Sequence, residues 1–197
     1  MGPIERLRNE HRLILLALGC LERLVDAGAR QRKLDEVDAA RVLVFLRSFA
    51  DAAHHAKEED ALFPKLIEKG LPAKGGPVSV MLEEHEEGRR LVSEMGEHLD
   101  RAAQGAELDM DAFARAGRAF VALLRDHIDK ENEVLFPMAE RILSQDDAAE
   151  LANAFDDRDG DREVDAAFDG LGELVERYLP ERASELHEYA GALRAAR

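Results

Sequence analysis

The chain has 197 residues, 46% of them hydrophobic, and a formal net charge of −15 at pH 7. That length suits one domain with or without an appendage, the hydrophobic content excludes a disordered polyelectrolyte, and the acidity argues against nucleic acid and anionic membranes as partners. With 6 Pro and no Trp, and with Ala, Leu, Glu and Arg dominant, the composition favours an all-α protein.

Punctuation divides the first 145 residues into four long helical segments. The first opens at Pro3, a favoured first-turn residue, and runs to the break near Gly28. The second starts after Asp35, a plausible N-cap, and ends at "EKGLPAKGG". Pro77 opens the third, which fades at "AAQGAELD"; Asp109 is the expected cap of the fourth, which continues to about Leu143. Pro64 and Pro137 fall inside the second and fourth segments and predict bends there. Short connections make neighbours antiparallel, as in an up-down-up-down four-helix bundle. Residues 146–197 read as a C-terminal helical extension packed on that bundle. It begins with a capped helix near Ser144, passes an acidic break at "DDRDGDRE", and is interrupted by Pro180.

Cys20 is the single cysteine and cannot form an internal disulfide; its apolar surroundings make it a core thiol. The opening "MGPIERLRNEH" lacks the apolar core of a signal peptide, and no run approaches the ~20 apolar residues of a membrane span. The expected compartment is the cytoplasm.

Two strings repeat: "HHAKEEDALFP" at 54–64 and "HIDKENEVLFP" at 127–137. Each places a His and a Glu one helical turn apart. Projected at 100° per residue, the first helix shares one face among Ile4, Leu7, His11, Ile14, Leu15 and Leu18. The third gathers Val78, Met81, Leu82, His85 and Val92. The fourth gathers Phe113, Phe120, Leu124, His127, Glu131, Val134 and Met138. A glutamate in a buried stripe carries a heavy desolvation cost unless a positive group faces it. In the second helix the apolar arc is Ala52, Ala56, Phe63 and Leu66. It takes in His55 and Glu59 and leaves His54 and Glu58 well outside, although string alignment alone selects the latter pair.

Heights agree. His11 and His85 lie roughly 12 Å from their helix starts, and the two His–Glu pairs lie roughly 15–24 Å from the ends of theirs. Antiparallel packing brings all six residues to one level. Four inward imidazoles and two carboxylates suit a dinuclear metal centre, with mixed N/O ligation fitting iron and with manganese or zinc as substitutes. Ferritin-like sites use Glu-x-x-His instead, so that class is disfavoured. His98, His54, Glu58 and His187 are expected outside the ligand set, and Tyr178 and Tyr189 to serve packing.

These residues resemble the hemerythrin-like family, also called the HHE cation-binding domain, over roughly residues 5–142. The resemblance implies an up-down four-helix bundle around a non-haem di-iron centre. Carried over, it makes His11, His55, Glu59, His85, His127 and Glu131 the ligands, with Glu59 and Glu131 as carboxylate bridges. Oxygen-carrying members have a second His one turn after the third-helix His, where this chain has Arg89. They also have an Asp five residues after the fourth-helix His, where this chain has Asn132. The implied small ligands are dioxygen, peroxide or nitric oxide. The implied roles are oxygen binding, sensing as a regulatory module, or turnover of an oxidant with weak peroxidase-like or catalase-like activity.

Overall fold

The computed structural model describes residues 1–156 and 162–194, and no β-strand occurs among them. Four rods form the bundle. Helix α1 (Pro3–Gln31) is the first. The second rod, 36–68, joins α2 (Glu36–Phe45) through π-helical stretches at Leu46–His55 and Glu58–Leu62 to α3 (Phe63–Glu68). The third is α4 (Pro77–Ala103). The fourth, 107–142, joins α5 (Glu107–Lys130) through a π-helical stretch at Glu131–Leu135 to α6 (Phe136–Ile142).

The local chemistry is mostly as expected. Pro3 and Pro77 sit in first turns, where their missing N–H costs nothing. Asp35 caps α2 by accepting from the Asp38 N–H at 3.1 Å. Asp109, the expected cap of the fourth rod, is two residues inside α5 instead, and its carboxylate accepts from His98 and Arg101. The connections at 32–35, 69–76 and 104–106 are too short for anything but antiparallel neighbours. Helix α1 packs on α5, α5 on α4, α4 on the second rod and the second rod on α1, closing the ring of an up-down-up-down four-helix bundle.

Pro64 and Pro137 are each preceded by a widened turn. A proline inside a helix removes one i→i−4 hydrogen bond and its ring crowds the carbonyl four residues back. Just upstream of each proline the rod opens to i→i−5 pairing. The Phe63 N–H donates to the Glu58 carbonyl, and the Phe136 N–H to the Glu131 carbonyl. A π-turn holds more residues than an α-turn, so each residue advances the helical phase by less than 100°. Val134, expected on the apolar stripe, is therefore exposed. Leu82 of α4, also expected inside, sits at the bundle edge.

Two apolar clusters flank the histidine level. The larger includes Leu13, Leu21, Phe45, Phe49, Leu91 and Phe113. The smaller includes Leu7, Phe63, Met81 and Phe136, together with Leu151 and Phe155 of α7 (Gln145–Asp156). Each fully buried Leu or Phe contributes about 1.5–3 kcal/mol relative to exposure. Ser144 and Asp147 exchange hydrogen bonds at the start of α7. Helix α8 (Arg162–Tyr178) lies on α1 and α2, and α9 (Ala183–Arg194) on α1, with Pro180 in the turn between them. Most of the acidic break, at 157–161, lies outside the described residues. None of the described helices is long and apolar enough to cross a membrane.

Candidate metal centre

At the histidine level, Glu58 and Glu131 lie side by side, both completely buried. One oxygen of Glu58 stands 3.6 Å from His54 Nε2 and the other 3.6 Å from His85 Nε2. Glu131 Oε2 stands 3.1 Å from His11 Nε2 and 3.4 Å from His127 Nε2. Each carboxylate thus spans two histidines, one on its own rod and one on a neighbour. All four carboxylate oxygens lack a hydrogen-bond partner.

The far nitrogen of every one of these imidazoles is occupied. His54 Nδ1 donates to Glu10 at 2.8 Å, and His127 Nδ1 to Glu84 at 3.0 Å. His85 Nδ1 donates to Glu59 at 2.7 Å, and His11 Nδ1 to the Asn132 side-chain oxygen at 3.1 Å. An oxygen acceptor at Nδ1 fixes the tautomer and leaves the Nε2 lone pair directed into the cluster. The Nε2 atoms of His85 and His127 face each other at 3.2 Å, two lone pairs aimed at one region.

The arrangement has an approximate two-fold symmetry that the repeated strings encode. His54, Lys57 and Glu58 on the second rod match His127, Lys130 and Glu131 on the fourth. Glu10 and His11 on α1 match Glu84 and His85 on α4. Lys57 holds Glu10 as Lys130 holds Glu84. Phe136 stacks on His11 with ring centroids 5.3 Å apart, and Phe63 on His85 at 5.9 Å. That is why "LFP" trails both strings: the proline sets the π-turn and the phenylalanine seats the opposing imidazole.

The electrostatics call for cations. Burial, and then the neighbouring Glu131, push the Glu58 carboxyl well above the usual carboxylate range. Burial also works against ionised Glu131, but His127 and His11 hold it down to about 2. Burial pushes His54 down to about 4, and lowers His55 and His127 as well, so these imidazoles are neutral and available as ligands. Orphaned buried carboxylates cost several kcal/mol unless a positive charge faces them. His11, His54, Glu58 and Glu131 form one group whose donor atoms lie within 4.8 Å of one another; Glu58, His85, His127 and Glu131 form a second. The two groups share both carboxylates, so this donor set fits a pair of divalent ions.

The second rod departs from the wheel projection. His54 and Glu58, expected outside, are buried at the centre of the cluster. Glu59, expected inside, is one residue off the buried face, partly exposed, where it accepts from His85 and from Arg89. The π-helical stretch at Leu46–His55 is the cause, because it delays the phase that the 100° rule assumes. It also buries two consecutive histidines. His55 is inside as expected, stacked on His85 at 3.8 Å, and groups with His85 and His127, its Nδ1 making no hydrogen bond but lying 3.4 Å from Asp51. Arg89 braces Glu59 and Asp51. His98 is bound to Asp109 away from the cluster, and His187 is exposed on α9. Tyr178 donates to Asp38, and Tyr189 lies under Arg12; neither reaches the cluster. Sequence reasoning missed Glu10, Glu84, Lys57 and Lys130. Their signal was present in the two Glu-His dipeptides and in the lysine three residues after His54 and after His127.

Fold and site together define a cation-binding helical bundle. The family profile described as the hemerythrin HHE cation-binding domain matches residues 2–139, and the chain belongs to that family. It is 26% identical over 178 residues to uncharacterized proteins of Mycobacterium bovis and Mycobacterium tuberculosis, covering 87% of this chain and 66% of theirs. The chain therefore spans just under two thirds of the length of those relatives. It is also 34% identical over 91 residues to the iron-sulfur cluster repair protein YtfE of Escherichia coli O157:H7, covering 45% of this chain and 41% of that protein. No solved structure matches it significantly.

Proposed function

We propose that the chain is a non-haem di-iron protein that binds or senses dioxygen or a related oxidant. In this reading His11 and His54 hold one ion, His85 and His127 the other, and Glu58 and Glu131 are shared between them. The observation that carries it is the convergence of four lone-pair-bearing nitrogens on two buried carboxylates that have no other partner. Two ferrous ions bound there would supply two electrons to an oxidant. The chain's own groups do the rest. Glu10, Glu84, Glu59 and Asn132 orient the four imidazoles, the paired carboxylates keep the ions together, and Leu7, Leu13, Phe63 and Phe136 keep water out.

Turnover of peroxide or nitric oxide is the second reading, and one feature favours it. Arg89 stands where oxygen-carrying members have a histidine, and its guanidinium is engaged by Asp51 and Glu59 and brings no extra ligand. The test is metal analysis with an optical spectrum of the anaerobically reduced protein, followed by air and by peroxide. The reading expects two irons per chain and a spectral change on exposure to air. A protein that loads iron but ignores both oxidants would contradict it.

A further inference from the structure

We infer that the cleft between the second rod and α4 binds a small amphipathic carboxylate and presents it to His55, at the edge of the metal cluster. The role rests on the proposed di-iron reading, whereas the binding is measurable without it.

The cleft encloses about 280 Å³. Its floor is Leu46, Ala50, Val92 and Phe120, all buried. At its inner end is His55, buried, its Nδ1 without a hydrogen bond and 3.4 Å from the Asp51 carboxylate that also lines the cleft. Ligand sites for drug-sized molecules run to roughly 300–1,000 Å³, so this one suits a single ring or a short chain.

Symmetry shows that the space is specific to one half of the bundle. At the place matching His55 the fourth rod has Ile128, and at the place matching Gly88 helix α1 has Ile14, both buried. Glycine inside a helix is unfavourable unless the missing side chain matters. At Gly88 no backbone constraint demands it: an added Cβ would meet only Phe120, at an ordinary 3.5 Å. The glycine leaves the cleft open.

A second helical glycine seats the charge. A Cβ at Gly96 would collide with the Arg47 guanidinium, so Arg47 lies across α4 in the space that Gly96 provides. Arg89, the other cation at the mouth, is engaged by Asp51, Glu59 and Glu86. Arg47 is exposed and has no carboxylate partner among the described residues. On a chain of net charge −15, an unpaired guanidinium beside an apolar cleft selects an anion with an apolar body. The carboxylate head meets Arg47 and the body lies on Phe120.

The test is calorimetric titration of the metal-loaded protein with benzoate, with benzyl alcohol as the uncharged analogue. Benzoate should bind once per chain, and benzyl alcohol about tenfold or more weaker. Arg47→Gln should weaken benzoate by a similar factor, and Gly88→Leu should abolish binding, with metal content and helicity unchanged in both. No binding by wild type at about 20 mM benzoate, a weak-affinity ceiling, would overturn the inference. So would benzoate affinity that Arg47→Gln leaves intact, since the anion would then sit on the metal itself. Metal content read on the same samples separates the two claims. Arg47-dependent binding to protein lacking two ions would support the cleft while removing the metal centre.

Discussion

The two halves of the histidine level are built from the same parts but differ in how tightly they are closed. In the half around His11 and His54, Lys57 is completely buried, Asn132 is the neutral acceptor for His11, and Ile14 and Ile128 fill the flank. In the half around His85 and His127, Lys130 is one-third exposed and Glu59 replaces the amide. There Gly88 and His55 leave a cleft. The charges compensate locally. Glu59 is a carboxylate and has Arg89, four residues after His85; Asn132 is neutral and needs no cation, and four residues after His11 stands Leu15. The shared parts are the two buried carboxylates and the imidazoles around them, and the differing parts leave a cleft in one half alone.

The buried lysine offers the largest test of that contrast. Lys57→Met would leave Glu10 charged and buried with His54 as its hydrogen-bond partner from the second rod, and should cost about 3–5 kcal/mol in urea unfolding. Lys130→Met removes a partly solvated pair and should cost at most about 1 kcal/mol. Equal losses would mean that the halves are equally sealed. A smaller effect is expected behind the imidazoles. Asn132→Leu removes the acceptor that orients His11 and should weaken metal affinity by about 10–100-fold in a chelator competition. Unchanged affinity would show that the His11 tautomer is set by something else. Smallest of all, His98→Ala should leave metal content untouched, because His98 is tied to Asp109 outside the cluster; loss of metal would place a further site on α4.

The sequence made the helical rods legible because their boundaries are chemical: Pro3, Asp35 and Pro77 act at first turns and caps. His11, His85, His127 and Glu131 could be placed at one level because uninterrupted α-helix leads up to each of them. On the second rod His55 is inside as expected, but His54 and Glu58 are buried as well and Glu59 is not, because Leu46–His55 is π-helical and a 100° projection has no means of registering that change of phase. The repeat itself held the remedy, since aligning His54 with His127 transfers the correct phase from the fourth rod. The Glu-His dipeptides were legible as well, but their meaning needed the neighbouring rod. Glu10 and Glu84 act on histidines of other helices.

The most direct test is anaerobic iron titration of Glu58→Gln and Glu59→Gln beside the wild type, counting ions bound per chain. Glu58 is the buried carboxylate shared between His54 and His85, whereas Glu59 only orients His85 from the rim. The wild type should take up two irons, Glu59→Gln should still take up two with weaker affinity, and Glu58→Gln should fail to hold the pair. Retention of two irons by Glu58→Gln, with their loss in Glu59→Gln, would contradict the account.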